Sequence, residues 1–157
     1  MKRLIMVLSV SVLALIVSSA ISAQSQSDPR IGTWKLNPAK SKDNTRKSDT
    51  RTYTQSGDSV TLHIEIVNSD GSTQAYGYTG KADGKDYPWT GQAPGGAETV
   101  SIRRAGNIFT AEGKKGGKVL FTTKTTFSAD GKVMTLTTKG TDAEGKSIDA
   151  VRVYDKQ

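Results

Sequence analysis

The sequence predicts an all-β protein: an antiparallel up-and-down β-barrel of about eight to ten strands, placed after an N-terminal signal peptide. Three observations lead there. Glycines recur at Gly57, Gly71, Gly84, Gly96, Gly106, Gly117, Gly131 and Gly145, 10 to 14 residues apart. Most close turn sequences such as Asn68-Ser69-Asp70-Gly71, Ala129-Asp130-Gly131 and Ala143-Glu144-Gly145, where glycine supplies the positive φ of a tight hairpin. Between them lie runs rich in Thr, Val, Ile, Tyr and Phe, which suit a pleated, half-buried surface.

Residues 1–23 read as an export signal. Lys2 and Arg3 precede an apolar run of 14 residues, 4–17, and Ser18-Ser19-Ala20-Ile21-Ser22-Ala23 supplies small residues for cleavage. The run is shorter than the roughly 20 residues a spanning helix needs, so no membrane span is expected. Cleavage after Ala23 leaves residues 24–157 as one domain, placed in the periplasm or outside the cell.

Along that domain, residues 24–30 form a short lead-in and 31–36 the first strand. The polar, charged stretch 37–48 is a loop with room for a turn of helix. Strands are then predicted over 50–55, 59–68, 73–79, 85–90, 98–104, 108–113, 118–128, 132–139 and 146–154, ten in all. Alternation is cleanest at Val60, Leu62, Ile64 and Ile66. A glycine-bulge turn at 68–72 sets Ile64 opposite Tyr76 and Leu62 opposite Tyr78, so four apolar residues share one face. In the hairpin after Phe127, the register pairing Phe127 with Met134 and Thr125 with Leu136 is preferred, because a one-residue slip would swap the faces. Around Tyr87 and Trp89 the alternation fails, which predicts a bulge at Gly80 or Pro88. Ten strands in one sheet leave two raw edges unless the sheet closes, hence a barrel.

The domain contains no cysteine, so neither a disulfide nor thiol chemistry contributes. Without Lys2 and Arg3 it carries 20 basic and 15 acidic residues, a net charge of +5. The excess is spread over the loop region from Lys40 to Arg51, Arg103-Arg104 and Lys114 to Lys118. That pattern fits a solvated surface with lysines at strand edges, and it also offers an anionic envelope polymer a binding face. Nucleic acid is not expected as a partner, since most aromatics belong inside the barrel rather than on a basic stripe.

Gly32-Thr33-Trp34 on the first strand resembles the G-x-W signature of lipocalins and their calycin relatives. The resemblance implies that Gly32 and Trp34 close the barrel floor and that an arginine near the chain end packs on the Trp. If the last hairpin is a glycine-bulge loop, Arg152 stands opposite Leu136, and it is the residue so implied. The phrase Gly32-Thr33-Trp34-Lys35-Leu36-Asn37 and the ending Val153-Tyr154-Asp155-Lys156-Gln157 also resemble small exported bacterial proteins of no assigned activity. Fatty-acid-binding proteins form barrels too, with a helical lid for which 37–48 leaves little room.

Motifs for chemistry are weak. Gly140-Thr141-Asp142-Ala143-Glu144-Gly145-Lys146-Ser147 fits the phosphate-binding pattern G-x-x-x-x-G-K-S, but residues 148–153 are strand-like and no helix N-terminus awaits a phosphate. His63 is the only histidine and sits on the outward face between Thr61 and Glu65. The acids lie mostly in turns, without the alternate spacing of a calcium loop. No catalytic residue, metal or cofactor is expected. The sequence instead predicts a monomeric, exported, non-enzymatic barrel that binds a small apolar or amphipathic molecule. Leu62, Ile64, Tyr76 and Tyr78 are its candidate ligand-binding residues on one wall, with Trp89, Phe121, Phe127 and Leu136 on others. The alternative is an envelope interaction module with a filled barrel and a working basic surface.

Overall fold

The computed structural model describes residues 28–42 and 45–157, so the signal sequence expected over 1–23 lies outside the described residues. Eleven strands form one antiparallel sheet: β1 (Gly32–Leu36), β2 (Arg46–Ser56), β3 (Ser59–Asn68), β4 (Thr73–Gly80), β5 (Asp83–Pro88), β6 (Thr90–Gly91), β7 (Thr99–Ala105), β8 (Ile108–Lys115), β9 (Lys118–Phe127), β10 (Val133–Thr141) and β11 (Ser147–Lys156). Neighbours run in the order β5-β7-β8-β9-β10-β11-β1-β2-β3-β4-β6, and the first strand pairs with the last. Within 37–45 a three-residue 3-10 turn, Pro38–Lys40, is capped by the Asn37 side chain accepting from the Lys40 amide. Among the described residues no helix is long and apolar enough to cross a membrane.

The hairpins hold the registers that turn chemistry dictates. Ile64 faces Tyr76 and Leu62 faces Tyr78, with the Asn68 amide donating to the Ser72 carbonyl at 2.8 Å. Phe127 faces Met134, Thr125 faces Leu136, and Leu136 faces Arg152. The turn after Phe127 is wider than two residues. There the Asp130 carboxylate accepts from the Ser128 hydroxyl at 2.6 Å and the Lys132 amide at 3.1 Å. The pattern G-x-x-x-x-G-K-S is a hairpin in which Thr141 pairs with Ser147 and the Asp142 carboxylate accepts the amides of Glu144 and Lys146.

The barrel is nearly closed rather than closed. Its two ladder edges meet at a seam between β4 with β6 on one side and β5 with β7 on the other. The single strand expected over 85–90 is broken at Trp89: β5 pairs with β7, and β6 then crosses back to pair with β4 at Tyr76 and Gly77. The bulge falls between Asp83 and Asp86, not at Gly80 or Pro88. Gly80 instead admits a ring, since a Cβ there would lie 2.6 Å from the Tyr87 ring that covers the seam. Period-2 alternation fails here because the segment serves two ladders in turn.

One end of the barrel is plugged. Trp34 is fully buried, its indole Nε1–H donating to the Arg30 carbonyl at 2.7 Å and its ring tilted against Phe127 at 5.6 Å. Arg30, 4 % exposed, bonds Asp28 through Nε and Nη2 and lies 4.1 Å over the Phe109 ring. The end of the supposed lead-in is thus part of the floor. Burying an apolar side chain such as Phe109 here stabilises the fold by about 1.5–3 kcal/mol.

Candidate ligand cavity

Strand alternation sends one face of every strand into the barrel, and these side chains do not fill it. A cavity of about 540 Å³ remains between the floor and the mouth. Leu62, Ile64, Tyr76 and Tyr78 line it from β3 and β4, and Phe121 and Leu136 from the far wall. Trp89 reaches it at the seam, held edge-on against Tyr76 at 5.6 Å and Tyr78 at 5.3 Å. Phe127 is not among the lining residues. It ends β9 at the plugged end, where its ring packs on Trp34 and, at 6.2 Å, on Phe109.

Arg152 also departs from the position the lipocalin resemblance implies. The β1–β11 register sets Trp34 opposite Lys156, four residues beyond Arg152, and the Lys156 ammonium sits 5.2 Å from the Trp34 ring. Arg152 lines the cavity instead. Gly32, paired with Tyr53, has φ 122° and lies against the Lys156 side chain, so any Cβ there would be strained twice over.

The lumen also holds charges that the sequence did not place there. Asp49, Arg51 and Tyr53 alternate on the inward face of β2, opposite Ile66, Ile64 and Leu62. Asp49 is 1 % exposed. It accepts the Tyr154 hydroxyl at 2.7 Å and Arg51 Nε at 3.2 Å, and it is also paired with Arg46. Burial pushes the Asp49 carboxyl up, but Arg51, Arg46 and the Tyr154 hydroxyl outweigh it and hold the group below its ordinary value. Burial raises the Tyr154 phenol, which stays protonated and donating. Arg46 therefore turns inward from the basic loop, while Lys42 and Lys47 beside it remain exposed. Inside the rim, Arg30, Arg46, Arg51 and Arg152 line the cavity, and two buried carboxylates, Asp28 and Asp49, answer them. Lys146, Asp142 and Asp149 add further charges of both signs to the lining. Alternation at 49, 51 and 53 was the available signal, hidden because polar residues at alternate positions read equally well as an outward face.

A strap crosses the mouth. The chain leaving β6 makes a 3-10 turn, Pro94–Gly96, and the Gly95 carbonyl accepts the Ala143 amide of the β10–β11 hairpin at 2.8 Å. That hairpin belongs to the wall opposite the seam. Gly95, with φ 62°, lets the turn lie close on Asp142 and Ile148.

No protein-family model and no curated protein matches this sequence. Among solved structures, the chain is similar to the ileal bile acid-binding protein of zebrafish in complex with cholic acid. The match has a TM-score of 0.53 at 14% identity and covers 82% of this chain and 99% of that one. The fold is that of the calycin barrels. That likeness concerns the path of the backbone.

Proposed function

We propose that this protein is an exported carrier that holds a small apolar or amphipathic molecule in its barrel, and that its ligand is an amphipathic anion. The cavity carries the reading. Its volume of about 540 Å³ lies within the ~300–1,000 Å³ of small-molecule sites, and its lining joins aromatic and aliphatic walls to a few convergent polar groups. The interior arginines favour an anion, because a cation in a low-dielectric lumen attracts an anion more strongly than it would in water. The zebrafish protein, a barrel of the same path, was solved with cholic acid, itself an amphipathic acid.

Native mass spectrometry of residues 24–157 recovered from the exported fraction of the source cells tests this reading. A retained adduct of a few hundred daltons that carries an acidic group and leaves on denaturation is the expected result. A bare protein mass that stays bare after addition of cholic or dodecanoic acid contradicts it.

A further inference from the structure

We infer that the ligand carries hydroxyl groups along one face of its apolar body, so that the cavity selects facially amphipathic acids over plain apolar ones; this rests on the carrier reading above. Side-chain hydroxyls and guanidinium groups are concentrated on one side of the wall. On β3 and β4 it presents Leu62, Ile64, Tyr76 and Tyr78, and across the seam β7 continues with Val100 and Ile102. Apart from tyrosine hydroxyls, the polar groups of this half are the Gln74 side chain and, at the seam, the buried Trp89 indole N–H.

The other half runs through β9, β10, β11, β1 and β2. It places Thr123, Thr125 and Thr138, and further on Arg152, Arg51 and Arg46, among the apolar side chains of Phe121, Leu136, Ile148 and Ala150. Leu136 separates Thr125 from Arg152, and Thr123 and Thr138 lie in the neighbouring row that ends on Ala150, so the polar groups form a band rather than a sheet.

Threonine is ordinary on the outside of a strand. Inside, a valine of the same shape would avoid the cost of desolvating a hydroxyl, about 1–3 kcal/mol when it is left unpaired. Thr123 and Thr138 bond each other at 2.9 Å. A hydroxyl carries one donor and two acceptor sites, so this pair still offers one O–H and lone pairs on both oxygens to a third group. Thr125 adds another hydroxyl on the same wall, two residues along β9. A plain alkyl chain pressed against this band would strand those groups, whereas a row of ligand hydroxyls would pair with them. The opposite wall, with its rings and aliphatic side chains, suits the ligand's bare face.

The test compares lithocholic, deoxycholic and cholic acids, which share one ring skeleton and carboxylate and carry one, two and three hydroxyls. Each is titrated calorimetrically, below its micelle concentration, into residues 24–157. An apolar lumen favours the least hydroxylated acid. The polar band predicts the reverse order, with cholic acid tighter than lithocholic acid by about tenfold, the worth of one or two good hydrogen bonds. Thr123→Val combined with Thr138→Val should restore the hydrophobic order while circular dichroism stays that of the barrel. Lithocholic acid binding the wild-type protein most tightly overturns the inference and leaves the carrier reading intact. Binding of none of the three overturns the inference, and failure to bind dodecanoic acid as well overturns the carrier reading with it.

Discussion

At the residue scale, the interior is organised around Asp49. A carboxylate this deeply buried persists because two guanidinium groups and a phenol meet it, and removing one member of such a cluster leaves the others uncompensated. Asp49→Asn should therefore cost about 3–5 kcal/mol in urea denaturation at neutral pH. Its depressed pKa fixes the direction of the pH response. The contribution is fully present above the unfolded carboxylate value of ~3.9 and is lost as pH falls through the lower, folded value. Asp28, held low by Arg30 against the upward pull of burial, acts in the same direction. The wild-type protein should lose stability steeply below about pH 4, and Asp49→Asn, already weakened, should lose less over the same interval. An equal loss in both would remove Asp49 from the explanation. Arg152 lines the cavity, where the proposed anionic ligand would meet it. Arg152→Met should weaken dodecanoate binding by about tenfold and leave dodecanol binding unchanged, a split that lost packing alone would not give.

At the scale of elements, most of the ladder was legible. Asn68-Ser69-Asp70-Gly71 fixes a turn, the turn fixes the register, and Val60 to Ile66 say which face is inside, so Ile64 meets Tyr76 as anticipated. Trp89 shows where that logic stops. Its neighbours pair first with β7 and then with β4, and no local period reports a strand that changes partner. The strap is equally invisible in sequence. Pro94-Gly95-Gly96 marks a turn, but nothing local says that its carbonyl meets Ala143 across the mouth. A Cβ built at Gly95 lies 3.4 Å from that of Asp142, close to the ~3.5–4.5 Å of a disulfide, and the chain has no cysteine to compete. Gly95→Cys with Asp142→Cys should oxidise to a single bridge. If the strap covers the way into the cavity, the bridge should slow association and release of an amphipathic anionic dye, and reduction should restore both. Rates indifferent to the bridge would place the entrance elsewhere.

At the scale of the whole molecule, closure and content separate. Near-closure follows from hairpin chemistry and from the pairing of β1 with β11, and although the two edges at the seam do not pair, both could be anticipated from a meander. Content could not. Arg46, Arg51 and Asp49 sit in a polar stretch that resembles a solvated surface, because a buried ion cluster and an exposed one use the same residues. Arg30 lies in a stretch that reads as a lead-in. The lipocalin resemblance assigns Arg152 to Trp34, where the β1–β11 register sets Lys156 instead. The outcome is a barrel whose apolar lining and whose Thr123 and Thr125 were legible and whose buried ion cluster was not. Methyl NMR of residues 24–157 titrated with cholic acid addresses the central claim, a ligand held inside the barrel, most directly. Saturable shifts are expected at the Leu62, Ile64 and Leu136 methyls, which face the cavity, with the exposed Val119 methyls unmoved. Shifts confined to Val119 and Ile108 on the exposed surface, or none at all, would contradict it.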